Sequence, residues 1–145
     1  MDEQELIMCM YQNTNTALQS INDLIKKSKD KTFIDLLNAQ YKRYEDYNNA
    51  LESYAKQRNI ELKENNWIEK VKLWSGIQMG TLTDTTTRHL AELMLSGTVM
   101  GTVNCYKARE DYKNAPSEAL DLLNKLEQME EDNFNELKKY LKCGN

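Results

Sequence analysis

Glu127 and Glu130 stand three residues apart in LEQMEEDNFNELKKYL (126–141), a spacing that sets two carboxylates on one face of a helix. At about 100° per residue, Leu123, Glu127, Glu130, Phe134, Leu137 and Leu141 share one sector, so the two acids interrupt an apolar stripe. A carboxylate on such a stripe must be hydrogen-bonded, paired or metal-bound to offset its desolvation. Either a polar, tyrosine-lined interior satisfies both acids, or they bind metal. Dinuclear carboxylate centres in helical bundles take one Glu from each of two helices and a Glu-x-x-His pair from each of the other two. The candidate ligands are Glu127, Glu130, Glu45 and the single histidine, His89. His89 and Glu92 are also three apart, but their sector lies about 100° from the inner stripe of their helix, so a rim position is expected.

Other polar residues fall on stripes that should face inward: Asn13, then Gln40 and Tyr44, then Asn104 beside Gly97, Met100 and Gly101. With a rise of about 1.5 Å per residue, Asn13, Tyr44, Met100 and Glu130 should meet near mid-height of a bundle. These side chains make a hydrogen-bonding core and a poor iron site. Tyr41, Tyr44, Tyr47 and Tyr54 are expected to pack with their hydroxyls bonded. No serine or cysteine sits in a nucleophile elbow, and no glycine-rich phosphate loop is present.

The elements that must position these residues are helices. Leu6, Met10, Ala17, Ile21 and Leu24 mark a first helix from Asp2 to about Ser28. Phe33, Leu37, Tyr44, Tyr47, Leu51 and Ala55 mark a second that ends near Arg58 and Asn59. The short turn between them makes an antiparallel hairpin. A third helix is expected from Asp84 or Thr85 to about Asn114, and a fourth, capped by Ser117 after Pro116, to Leu141. Between the hairpins, Trp67, Val71, Trp74 and Gln78 mark a shorter helix in the crossover. The expected fold class is therefore all-α: one domain over residues 1–145, a ferritin-like antiparallel four-helix bundle with an additional short helix between helices 2 and 3.

Composition agrees, with one Pro, five Gly and 29% charged residues. The net charge of −4 disfavours nucleic acid and anionic membranes as partners. The acidic opening, Asp2, Glu3 and Glu5, shows no secretory signal, and Cys9, Cys105 and Cys143 form no paired spacing, so a cytoplasmic protein with reduced thiols is expected. Leu90–Tyr106 is apolar nearly all round yet polar enough, with Glu92 and Asn104, to read as a doubly covered helix and not a membrane span. Its cover is either the Trp67/Trp74 segment or a second subunit, and Gly97-x-x-x-Gly101 allows close helix approach.

QELIMCMYQNTNTAL (4–18), DLLNAQYKRYEDYNNAL (35–51), RHLAELMLSGTVMGTVN (88–104) and LEQMEEDNFNELKKYL together resemble a loose group of uncharacterised bacterial ferritin-like bundles that includes spore-coat-type proteins. The resemblance spans nearly the whole chain. It implies the ferritin-like fold and relatives of which some bind two metals and others have lost the ligands. Carried across, it places the histidine partner of the last helix at Glu130, the Glu of the first helix at Asn13, and the second-helix pair at Tyr41 and Tyr44. Only Glu127 and Glu130 match in chemistry.

Three functions follow as expectations. The first is a non-enzymatic structural or interaction protein with a degenerate metal site and no cofactor, a homo-oligomer through helix 3 or the crossover helix. The alternative is a divergent di-iron or di-manganese carboxylate protein using Glu127, Glu130 and Glu45 or His89. The third is a small-ligand carrier with a cavity between Tyr44, Met100 and Glu127.

Overall fold

The computed structural model describes residues 2–63 and 82–142. Within them the chain is all-helical: α1 (Asp2–Lys27), α2 (Lys31–Gln57), α3 (Thr87–Asp111) and α4 (Ser117–Leu137), followed by a 3-10 turn over Lys138–Leu141. The crossover helix expected around Trp67–Gln78 lies outside the described residues.

Helix ends follow local chemistry. Asp30 caps α2, its side chain accepting from the Phe33 amide at 3.1 Å, while its other carboxylate oxygen accepts from the Thr87 hydroxyl at 3.2 Å. At the other end of α2, Asn59 takes φ 58°, a left-handed value that Asn tolerates. The Ile60 amide then donates to the Ala55 carbonyl at 2.8 Å and the Asn59 amide to Lys56 at 3.3 Å, closing a Schellman motif. The third helix starts later than expected. The Asp84 carboxylate takes the Thr86 amide and hydroxyl at 3.0 and 2.8 Å, which leaves Thr86 to cap α3 through the His89 amide. In α4, Pro116 occupies the cap position without a side-chain bond and Ser117 is the first helical residue. The last stretch to Leu141 tightens to 3-10 geometry at Lys138 and does not continue α4.

Contacts at the two ends fix the helix directions. Phe33 and Tyr140 meet edge to face at 5.0 Å, and Asp30 meets Thr87, so the start of α2, the start of α3 and the end of α4 share one end. At the opposite end, Glu3 accepts from Tyr54 at 2.6 Å and pairs with Arg58 at 3.5 Å, and Arg58 also reaches Glu118 at 3.3 Å. Thus α1 and α4 run one way and α2 and α3 the other. Asn59 and Thr86 therefore stand at opposite ends of the bundle. Helices α1 and α2 pack together extensively, as do α3 and α4, and the two hairpins meet through α1 with α3 and α2 with α4.

The core is one cluster of buried side chains from all four helices, with Phe33, Leu6, Ile21, Leu37, Leu51, Leu90 and Leu123 fully enclosed. Each such side chain contributes roughly 1.5–3 kcal/mol by burial. Two expected inward positions face out instead: Met100 is 50% exposed and Phe134 is 36% exposed. On α4 the buried stripe is Ala119, Leu123, Leu126, Glu130, Asn133 and Leu137, centred one position away from the expected one. On α3, glycines and not Met100 face the centre, for a reason that lies across the bundle. Among the described residues no helix is long and apolar enough to cross a membrane.

Removing the Asp30 side chain should show how much the shared cap holds the end together. Asp30→Ala is expected to lower stability by about 1–2 kcal/mol, read from denaturant midpoints at constant m-value.

Candidate functional site

At mid-height the four helices contribute one residue each to a polar layer. Glu130 of α4 is fully buried, with 0% of its surface exposed. Tyr44 of α2, equally buried, donates its hydroxyl to Glu130 Oε1. Asn13 of α1 and Gly101 of α3 close the remaining sides. A Cβ built on Gly101 would lie 2.1 Å from Glu130 Oε2 and 3.4 Å from Asn13 Nδ2. The space a side chain of α3 would fill is therefore occupied by the Glu130 carboxyl. This is why α3 turns its glycine inward and Met100 outward.

The electrostatics of the layer follow from its burial. Burial pushes the Glu130 carboxyl up to about 8, with the Tyr44 hydrogen bond opposing the rise only in part. Burial and the neighbouring Glu130 in turn hold the Tyr44 phenol well above its ordinary range. At neutral pH the pair is thus a carboxylic acid and a phenol. Oε1 is already engaged as an acceptor, which leaves the acid proton to Oε2. Neither Glu130 Oε2 nor Asn13 Nδ2 has a hydrogen-bond partner.

One turn further along α4 a second polar group bridges α2 and α4. Arg43 forks onto Glu136 at 2.6 and 2.8 Å and onto the Asn133 side-chain oxygen at 2.9 Å. Gln40, fully buried, donates to the Asn133 carbonyl at 3.4 Å and to Glu136 at 3.2 Å. The Arg43 hydrogen bond holds the Glu136 carboxyl below its ordinary range. Asn133, Arg43 and Glu136 are absent from the sequence-derived candidates. The available signal was their spacing, since Arg43 follows Gln40, and Glu136 follows Asn133, by three residues on the same helix face.

The sequence-derived candidates separate in space. Glu127 is half-buried on the side of α4 that faces α3 and pairs with Arg109 of α3 at 2.6 Å, away from the central layer. Glu45 is exposed on α2, 3.9 Å from Lys42. His89 sits half-buried at the start of α3 with Nδ1 3.7 Å from Glu92. Only Glu130 reaches the centre, in company with Asn13 and Tyr44; Gln40 joins the second layer, and Asn104 is half-buried at the margin. Among the described residues no three His, Cys, Asp or Glu side chains gather as a metal-binding group. One carboxyl, one phenol and one amide do not fit a dinuclear carboxylate centre.

The two described thiols, Cys9 and Cys105, offer no nucleophile. Burial pushes Cys105 up to about 12 and also raises Cys9, so both stay protonated. Tyr47, held protonated by burial, donates to the Leu122 carbonyl at 2.6 Å and so serves α2–α4 packing. What the arrangement can do chemically is hold a proton in a buried layer and fix the register of four helices.

Set against protein-family models, curated proteins and solved structures, the chain matches none.

Proposed function

We propose that this protein is a non-enzymatic structural or interaction module on a ferritin-like frame, in which a proton-holding polar layer stands where metal-binding relatives keep their ligands. The connectivity supports the frame: two antiparallel hairpins whose inner helices, α2 and α3, run parallel and are joined by a long crossover. The observation that carries the reading is the enclosure of Glu130 by Tyr44, Asn13 and Gly101. A single neutral carboxyl, walled in on every side, has neither the companions nor the room to act as a metal bridge.

Such layers specify how helices pair, because an unmatched register would bury Glu130 without Tyr44. Among the described residues no thiol is activated and no carboxylate cluster stands at the centre, which favours a structural or interaction role for the bundle. Free, protonated Cys9 and Cys105 suit the reducing interior of a cell.

Elemental analysis of protein purified from iron- and manganese-supplemented cultures tests the reading. Sub-stoichiometric metal, unchanged in Glu130→Gln, is the expected result. Stoichiometric iron or manganese that Glu130→Gln removes would replace it with the divergent metalloprotein.

A further inference from the structure

Two thiols stand at one level of the bundle on helices that touch. A Cβ built on Gly101 of α3 would lie 3.4 Å from the Asn13 amide of α1, and this contact fixes the register of the antiparallel pair. Four residues back along α1 from Asn13 is Cys9, and four residues on along α3 from Gly101 is Cys105. Because the helices run oppositely, both steps lead the same way, by about 6 Å. Cys9 and Cys105 therefore share a level, one on each hairpin.

Their surroundings turn them toward each other. Cys9 is half-buried and lines a groove of about 510 Å³ together with Tyr112, the C-cap of α3. After burial itself, the groups that act on the Cys9 thiol are Asp111 and Lys107, both on α3. Cys105 is 2% exposed. Burial dominates the rise of its thiol, followed by Glu130, Glu127 and then Cys9. Gly101 and Ala108, buried on either side of Cys105, put little bulk on this face of α3 and let α1 come close. A disulfide needs Cα atoms about 4.4–6.8 Å apart, a separation that helices attain through such small residues.

We infer that Cys9 and Cys105 form an intramolecular disulfide on exposure to peroxide, locking the hairpin of α1 and α2 to that of α3 and α4. Cys9, open to the groove, meets the oxidant first. Its sulfur attacks one peroxide oxygen, the O–O bond breaks, and a sulfenic acid forms with loss of water or an alcohol. The Cys105 sulfur then attacks the Cys9 sulfur and gives up its proton. The S–O bond breaks, the S–S bond forms and water leaves. Two thiols lose two electrons and one peroxide gains them. With both thiols held protonated near neutrality, the bond forms slowly there and faster as pH rises, a response to sustained oxidant and not a turnover step. This goes beyond the structural reading above and does not depend on the Glu130 layer.

Hydrogen peroxide added to the folded full chain at mildly alkaline pH is expected to give a monomer lighter by two hydrogens, with positions 9 and 105 joined in its peptide map. The denaturant midpoint should rise, because the bond closes the long stretch of chain between these positions in the unfolded state, and dithiothreitol should reverse both changes. Cys105→Ala should lose the mass change and the shift and leave Cys9 as a sulfenic acid that dimedone traps. Cys9→Ser, at a half-buried site, should lose both as well and serves where Cys105→Ala does not fold, whereas Cys143→Ser should alter neither. Thiols that survive peroxide in the folded chain, or a bond that joins Cys143 or two chains instead, would overturn the inference. A Cys9–Cys105 bond that lowers the midpoint would overturn it too, by showing that α1 and α3 must part to make it.

Discussion

Glu130→Gln is expected to flatten the pH dependence of stability between about pH 4.5 and 8 and to make the protein several kcal/mol more stable than its parent at pH 9. The folded carboxyl titrates near 8, against 4.5 for an ordinary Glu. Because the folded value is raised, the native state holds more protons than the unfolded chain in this window. Stability is therefore fully present below about 4.5 and is lost as pH rises through about 8. At 1.36 kcal/mol per unit the loss amounts to about 5 kcal/mol, a large share of the 5–15 kcal/mol that holds a domain folded. Gln keeps the shape and the acceptor for Tyr44 but cannot ionise. Below pH 5 the two proteins should unfold within about 1 kcal/mol of each other, since both present a neutral side chain there. Chemical denaturation at a series of pH values reads the difference directly. Parallel curves for parent and variant would show that the charge is not buried as described.

Gly101→Ala should destabilise by about 2–3 kcal/mol, the reverse of what the same change does in an ordinary helix. Alanine normally gains about 1 kcal/mol over glycine within a helix. Here its Cβ would lie 2.1 Å from Glu130 Oε2 and 3.1 Å from the carboxyl carbon. Glu130 has no exposed surface through which to swing away, and its other oxygen is held by Tyr44. The layer must then spread, at an overpacking cost that exceeds the helical gain. In a Glu130→Ala background the obstruction is gone, and Gly101→Ala should become neutral or stabilising. That change of sign, measured as a double-mutant cycle, separates a steric conflict at Glu130 from a general intolerance of α3. Additive effects would refute the contact.

Much of this arrangement is legible in the chain itself, and what is not has identifiable causes. Glu130 declares itself because a carboxylate on a 3.6-residue apolar stripe is conspicuous against Leu123 and Leu137. The hairpins declare themselves through Asp30 and Pro116, whose local chemistry ends helices whatever the tertiary context. The choice between Met100 and Gly101 does not. Helix α3 is apolar on most of its circumference, so its periodicity names no unique inner face, and the decision falls to the volume that Glu130 and Asn13 bring from other helices. The same ambiguity shifted the expected stripe of α4, placing Glu127 and Phe134 inward where Leu126 and Asn133 belong. Arg43 and Glu136 were missed because charged residues read as solvent-facing until their partner on the opposite helix is known. His89 and Glu45 were credible only as types, and their distance from Glu130 is set by directions of α2 and α3 that no local pattern encodes.

The position of the polar layer between the hairpins also bears on how the chain reaches its native state. Glu130 and Gly101 belong to the hairpin of α3 and α4, whereas Tyr44 and Asn13 belong to that of α1 and α2. Each hairpin is built from contacts close in sequence, which form early and fast. Neither alone can desolvate Glu130, whose burial waits until the two halves meet. Docking is therefore the step at which the proton is taken up, and alkaline solution should slow assembly of the halves while leaving each half's formation untouched.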